Sequence, residues 1–217
     1  MLKIAYADVM QGWRHIRAAP QIRRISLAKA AWGLGGGASV YMLALLGEQL
    51  SPDRQAAAIG LLFAARGIGT GIGPVMGRAF FKNRNKWPAL LGVSIIISGI
   101  FYGLVGSMPL TYMIAIPIMI AHAASGLNWV FSTVMLQHRT EDEFRGRVFS
   151  TEWLFVLVAD SFSILAASLI LQSGLMNLQN TVLVFGIIQV ITGLIWLKSV
   201  VPAERATQSE NNSKRTP

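Results

Sequence analysis

The chain has 217 residues, of which 53% are hydrophobic and 13% charged, with a net charge of +9 and no cysteine. A soluble domain carries about 25% charged residues, whereas two long stretches here, 87–138 and 161–197, carry no formal charge. Each stretch exceeds the roughly 20 apolar residues that one helix needs to cross a bilayer. The composition therefore excludes an ordinary soluble protein, and the lack of cysteine excludes disulfides and thiolate chemistry.

A basic segment, 1–25, comes first along the chain, and its hydrophobic residues alternate with arginines. It is expected to form either a short helix on the membrane surface or a solvated linker. The apolar runs that follow predict an all-α polytopic membrane protein with antiparallel neighbouring helices. The six predicted spans are 26–50, 55–81, 88–108, 110–137, 148–175 and 178–201. The polar tail, 202–217, is predicted to be disordered.

The lysines and arginines are distributed unevenly between the loops. All except Arg54 and Arg66 lie in the amino-terminal segment, the second–third loop, the fourth–fifth loop or the tail, or at the span ends next to them. Membrane proteins keep their basic loops in the cytoplasm, so both termini are expected there. The same distribution makes the lipid bilayer, and not nucleic acid, the partner that the net charge favours.

Two ionisable residues lie in the middle of predicted spans, Arg66 in the second and Asp160 in the fifth. Arg66 is twelve residues from the basic-loop residue Arg78, and Asp160 is thirteen from Arg147. At 1.5 Å per helical residue, both lie roughly 18–20 Å from that edge. Opposite charges at one depth suggest an ion pair or a coupled proton site, and the alternative is that each pairs separately with backbone or snorkels.

The fourth span carries a row of polar and aromatic residues at helical spacing. This row is interpreted as the lining of a cavity, or alternatively as hydrogen-bonding contacts between packed helices. Trp32 and Tyr41 flank the sequence GLGGGAS in the first span, a run flexible enough to bend or unwind a helix, and are candidates for substrate contact. The candidate residues of the fourth span are His122, Ser125, Asn128, Trp129 and Ser132.

The second span is rich in glycine, but its spacing does not match a nucleotide-binding glycine loop and no strand precedes it. Glycines repeated every four residues let membrane helices approach closely. A packing surface is therefore predicted for the two rows Gly67 and Gly71, and Gly69, Gly73 and Gly77.

Enzymatic chemistry finds little support in the sequence. The three histidines, His15, His122 and His138, are scattered, so no metal site is expected. No serine and histidine are placed as an intramembrane protease would need them, and no cofactor is indicated. The acidic run TEDEF, 140–144, is interpreted as a helix cap with local salt bridges.

Several motifs resemble the second half of a major facilitator superfamily transporter, closest to the bacterial drug and siderophore exporters. The likeness extends from about Asp8 to Pro202. The second span ends in GPVMGRAFFKNR and the fourth–fifth loop contains EDEFRGRVFS. The basic segment has the form of the linker between two six-helix halves, through Asp8, Gly12, Trp13, Arg14, Ile16, Arg17, Pro20, Ile22 and Arg23.

The resemblance implies proton-driven export of a small molecule by alternating access, from a bacterial inner membrane. It implies that the first and fourth spans line the cavity and that the second and fifth lie at the seam between halves. The family's loop motif is only partly present, because Gly73 and Arg78 fit but Gly77 replaces its acidic residue and its second glycine is absent. Arg145 and Arg147 are the candidate basic residues of the fourth–fifth loop, which is expected in the cytoplasm. A second half, or another copy, is the expected partner, and a non-transporting interaction module or an inactive fragment is the alternative.

Overall fold

The computed structural model describes the backbone of residues 2–213 and the side chains of residues 6–209 and 213. Within this part of the chain there are eight α-helices and no strand, which confirms the all-α class. Met1 and residues 214–217, the end of the predicted tail, lie outside the described residues. The helices are α1 (Leu2–Ala18), α2 (Pro20–Ser26), α3 (Ala28–Leu50), α4 (Gln55–Phe80), α5 (Trp87–Ser107), α6 (Ala115–Arg139), α7 (Arg145–Gln172) and α8 (Leu178–Ser213).

Six of these helices, α3 to α8, are long and apolar enough to cross a membrane. They coincide with the six predicted spans to within a few residues at most ends. Local signals explain several ends: Pro88 occupies the first turn of α5, where its missing N–H costs nothing. Gly174 adopts a φ of 69° after α7, a conformation that favours glycine. Asn177 then caps α8 by accepting a hydrogen bond from the Asn180 N–H at 2.8 Å.

The amino-terminal segment forms helices α1 and α2 and packs against the bundle. Ile16, Ile22 and Ile25 are buried in an apolar cluster that includes residues of α5, α6 and α7. Gly12 lies against the backbone carbonyl of Arg147, so α1 approaches α7 closely. The segment is therefore a packed part of the protein. It is neither a solvated linker nor a helix that lies alone on the membrane.

The tail differs from the sequence prediction, because α8 continues through Pro202 to Ser213. Its anchor is Glu204, whose side chain is only 3% exposed and pairs with Arg24 at 2.5 Å and Arg139 at 2.6 Å. These two ion pairs tie the end of α8 to α2 and to the end of α6. Disorder is therefore the wrong description for residues 202–213. We call this end of the bundle, with the α4–α5 and α6–α7 loops, the basic end.

Helix α3 lies at the centre of the bundle and contacts α4, α7 and α8, while α4 packs mainly on α6 and α5 on both α6 and α8. Helices α5 and α8 meet through glycines spaced seven residues apart, which bring the two backbones together. They are Gly92, Gly99 and Gly106 on α5, and Gly186 and Gly193 on α8.

Helices α4 and α7 are the least covered by the protein. In their most apolar windows 28% and 22% of the residues are buried, compared with 39% to 61% for the other four spans. Both helices pack against α3, but they make few contacts with each other. The bundle is therefore open along the face that these two helices flank.

Candidate functional site

An open cavity of about 710 Å³ lies between α4 and α7, with α3 and α6 behind it. Aromatic and small residues form most of its wall, and Arg66 and Asp160 supply the charged groups. Its lining consists of Trp32, Gly37, Val40, Tyr41, Ala44, Phe63, Arg66, Thr70, His122, Ser125, Gly126, Trp129, Trp153, Asp160 and Ile164.

Five of the seven predicted cavity residues line this cavity, namely Trp32, Tyr41, His122, Ser125 and Trp129. The other two do not. Asn128 is buried against α5, where its Nδ2 donates to the Leu91 carbonyl and to Ser94 Oγ, both at 3.2 Å. Ser132 is fully buried and donates to the Trp129 carbonyl of its own helix. The row in α6 thus divides between the two predicted alternatives, since one side lines a cavity and the other joins helices.

His122 is held in place by two hydroxyl groups. Its Nε2 shares a hydrogen bond of 2.7 Å with the Tyr102 hydroxyl on α5, and Ser125 Oγ lies 3.2 Å from its Nδ1. Both ring nitrogens thus have a partner inside the protein, and the side chain is 2% exposed. His122 therefore presents a fixed ring to the cavity and not a mobile one.

Three tryptophans form a continuous aromatic wall. Trp129 of α6 meets the edge of Trp32 at a centroid distance of 6.1 Å and that of Trp153 at 5.8 Å. Trp32 is fixed by a hydrogen bond from its Nε1 to Ser98 Oγ at 3.2 Å. Sequence reasoning did not select Trp153, although its position in a predicted span beside an acidic residue was a usable signal.

Arg66 and Asp160 both line the cavity, but they form no ion pair with each other within 4 Å or with another described residue. Arg66 Nε and Asp160 Oδ1 are buried atoms without a hydrogen-bond partner among the described residues. The predicted direct contact is therefore wrong for this structure, because the two groups project from helices on opposite sides of the opening. Arg66 and Asp160 nevertheless line the same cavity, as their matched depths predict.

The glycines of the first span bring Asp160 close to α3. A Cβ atom at Gly33 would stand 2.5 Å from Asp160 Oδ1, and one at Gly37 would stand 2.8 Å from Asp160 Cα. Helix α3 continues without a break through this run, so these glycines provide space for α7 and do not unwind the helix.

A buried ion pair lies at the side of the cavity nearest the basic end. Lys29 Nζ of α3 is 3.1 Å from Glu152 Oε1 of α7, and the side chains are 3% and 0% exposed. Lys29 Nζ is also 5.2 Å from the centroid of the Trp129 ring. Sequence reasoning counted Lys29 among the basic-loop residues and gave Glu152 no role. The available signal was that Glu152 falls inside a predicted span.

The two glycine rows of α4 have different surroundings. Gly69 and Gly73 pack directly against the backbone of α6, and Gly77 packs against Phe131 and Leu127. A Cβ atom added at Gly67 or Gly71 would meet no other atom within 4 Å, so these two glycines face outward. The packing surface is therefore confirmed for the first row and wrong, within this chain, for the second.

The selected arginines of the loops also differ in their contacts. Arg147 pairs with Asp8 of α1 at 3.2 Å, and Arg145 pairs with Asp142 at 2.9 Å. The second pair is a local salt bridge of the kind predicted for the TEDEF run, 140–144, although no side chain of that run caps a helix among the described residues. Arg78 forms no ion pair with the residues that the structure describes and is exposed.

Within the described part of the chain, no three histidine, aspartate or glutamate side chains come close enough to hold a metal ion. The architecture defines a multi-pass helical membrane protein with a charged, open cavity. No family model, curated protein or solved structure matches the chain.

Proposed function

We propose that the chain is one half of a proton-coupled secondary transporter of the major facilitator type. It exports small amphipathic compounds by alternating access and works only with a second six-helix half. The membrane is a bacterial inner membrane, with both termini of this chain in the cytoplasm. This proposal combines the sequence resemblance with the geometry of the cavity.

One observation carries the proposal: the cavity between α4 and α7 is open, and its two charged groups have no ionic partner among the described residues. An uncompensated charge within a bilayer costs roughly 2.5–3.5 kcal/mol on insertion scales. Arg66 and Asp160 therefore favour a state in which protein or water, and not lipid, covers this face. A second bundle seated on α4 and α7 supplies that cover and completes the cavity.

The cavity chemistry suits a proton-coupled carrier of amphipathic molecules. The Asp160 carboxylate can gain and lose a proton, and the guanidinium of Arg66 offers hydrogen-bond donors to the same cavity. Tyr41 and the tryptophan wall offer flat apolar surface to a substrate. Protonation of Asp160 changes the net charge of the cavity, which supports coupling of the proton to substrate release.

Transport in proteoliposomes tests the proposal. The chain is reconstituted alone and together with an amino-terminal six-helix half of a drug exporter of this superfamily, and efflux of a fluorescent amphipathic dye is followed under a pH gradient. We expect proton-dependent efflux in the joint sample only, and its loss in Asp160→Asn. Asp142→Asn is the matched control, because Asp142 is 87% exposed in a loop.

Efflux from the chain alone would contradict the requirement for a second half. Efflux in the joint sample that is unchanged by Asp160→Asn would remove the coupling role of this carboxylate.

A second candidate function is a membrane interaction module that binds a partner without transport. The observation in its favour is the outward-facing pair Gly67 and Gly71, which leaves a small-residue surface open for another helix. Gly67→Leu would then abolish association with the partner half, while Asp160→Asn would leave association unchanged and no dye efflux would occur in any sample.

A further inference from the structure

A second cavity lies at the basic end, away from Arg66 and Asp160. It is a groove of about 690 Å³ between the α4–α5 loop, the first two turns of α5 and the last turns of α8. We call it the basic groove. The residues that matter for its chemistry are Phe80, Lys82, Lys86, Leu90, Val93 and Arg205.

Three cationic side chains in the basic groove, Lys82, Lys86 and Arg205, have no acidic partner among the described residues. The one acidic residue in its lining, Glu204, is already bound to Arg24 and Arg139. Two arginines on one carboxylate leave no negative charge to balance the three cations. The groove therefore has a net positive charge and is ready to accept an anion.

Apart from the polar side chains of Asn83, Asn85 and Gln208, the other side of the groove is lined by apolar residues of α4, α5 and α8. Leu90 and Val93 belong to the membrane-spanning part of α5, and Val93 is 39% exposed. Phe80, at the end of α4, is 72% exposed. The lining of the groove thus changes along its length, from cationic side chains at the end of the bundle to apolar side chains between the helices.

Cations at one end and apolar side chains at the other complement an anionic phospholipid, which has a negative head group and hydrocarbon chains. Basic pockets beside membrane helices bind anionic lipid head groups, and each lysine or arginine near such a surface contributes on the order of 1 kcal/mol. A soluble phosphate would use the cations but leave the apolar wall uncovered, whereas a zwitterionic lipid would cover the wall but bring no net charge.

We propose that the basic groove is a specific site for one anionic phospholipid, independent of the transport proposal. Lys82, Lys86 and Arg205 hold the phosphate diester of the head group, and one acyl chain lies along Leu90 and Val93. The bound lipid links the α4–α5 loop to the end of α8.

Native mass spectrometry of the detergent-solubilised full chain tests this site. Phosphatidylglycerol and phosphatidylcholine with identical acyl chains are titrated separately, and glycerol phosphate is titrated as the soluble head group. We expect at least tenfold tighter binding of phosphatidylglycerol than of phosphatidylcholine and no binding of glycerol phosphate in the same concentration range.

Two triple variants with the same change in net charge locate the site. Lys82→Gln/Lys86→Gln/Arg205→Gln is expected to weaken phosphatidylglycerol binding at least tenfold. Arg14→Gln/Arg17→Gln/Lys198→Gln, at exposed residues elsewhere on the chain, is expected to change it less than twofold. Val93→Trp, which fills the apolar wall without changing charge, is expected to weaken it at least threefold.

Equal binding of the two lipids, or an equal loss in both triple variants, would overturn the proposal, because either result reports only general membrane attraction. Binding of glycerol phosphate as tight as that of phosphatidylglycerol would also overturn it in favour of a soluble anion. Circular dichroism of each variant confirms that the helical fold is retained.

Discussion

The charged residues of the basic end and those of the cavity differ in how they are neutralised. At the basic end Glu204 binds two arginines and Lys29 is paired with Glu152, and each of these contacts joins helices that are distant in sequence. In the cavity Arg66 and Asp160 have no ionic partner among the described residues. These ion pairs therefore stabilise the bundle, whereas Arg66 and Asp160, like the three cations of the basic groove, have charge available for a ligand or partner.

The largest expected loss of stability follows from breaking the most buried ion pair, Lys29–Glu152. Lys29→Met leaves the Glu152 carboxylate buried without its cation, and removal of one partner of a buried pair costs about 3–5 kcal/mol. We expect that decrease in the free energy of unfolding, measured by denaturant titration in bicelles. Lys29→Met/Glu152→Gln removes both charges and should restore most of the lost stability. A double variant no more stable than Lys29→Met would show that the unpaired Glu152 carboxylate does not cause the loss.

A smaller loss is expected at Glu204, because Arg24 and Arg139 are 17% and 19% exposed and retain some hydration. Hydrogen bonds to charged groups contribute about 1.5–3 kcal/mol each, so Glu204→Gln should lower the free energy of unfolding by about 2–3 kcal/mol. It should also increase hydrogen exchange in residues 202–213. Glu143→Gln, at an exposed loop position, is the control, and an equal effect of the two substitutions would contradict the anchoring role.

The two glycine rows of α4 allow a packed position to be compared with an open one, without any change in charge. A methyl group at Gly73 would overlap the carbonyl of Ala123, and overpacking of this kind costs about 1–3 kcal/mol. Gly71→Ala meets open space and should change the free energy of unfolding by between zero and a gain of about 1 kcal/mol. The same bicelle titration measures both, and equal effects would mean that α4 does not pack on α6 through this row.

The smallest effect on stability is expected in the cavity. Asp160→Asn and Arg66→Gln each remove a charge that has no ionic partner among the described residues, and such a charge is itself costly within a bilayer. Neither substitution should therefore lower the free energy of unfolding. The dye-efflux assay should nevertheless respond strongly to Asp160→Asn. A loss above about 2 kcal/mol in this isolated chain would reveal an ionic partner for the substituted group and remove the contrast with the basic end.

Much of the fold can be predicted from hydrophobicity alone. Two apolar stretches lack any formal charge and the breakers between spans are clear, so all six spans are found. Arg66 and Asp160 are also found, because an ionisable residue in mid-span is rare enough to be informative. Both line the cavity, as matched depths suggest.

The contacts of individual side chains depend on how each helix is rotated about its axis. The spacing of residues in the sequence does not determine that rotation. Asn128 and Ser132 share a helix with His122, but Asn128 bonds to α5 and Ser132 is buried with a bond to its own helix. Gly71 differs from Gly73 only in the side of α4 that it occupies. The Lys29–Glu152 pair was missed for another reason. Each residue lies within a few turns of the basic loops, where a charge is ordinary, and only the tertiary fold shows that both are buried.

The glycine contact between α5 and α8 has a mechanical consequence. Gly99 lies against the backbone of Gly186, and Gly193 lies against the backbone of Gly92. Sliding of α5 along α8 would bring larger side chains into these contacts, which close packing does not accommodate. We therefore expect a change of shape in this bundle to involve the sparsely covered helices α4 and α7 more than the α5–α8 pair.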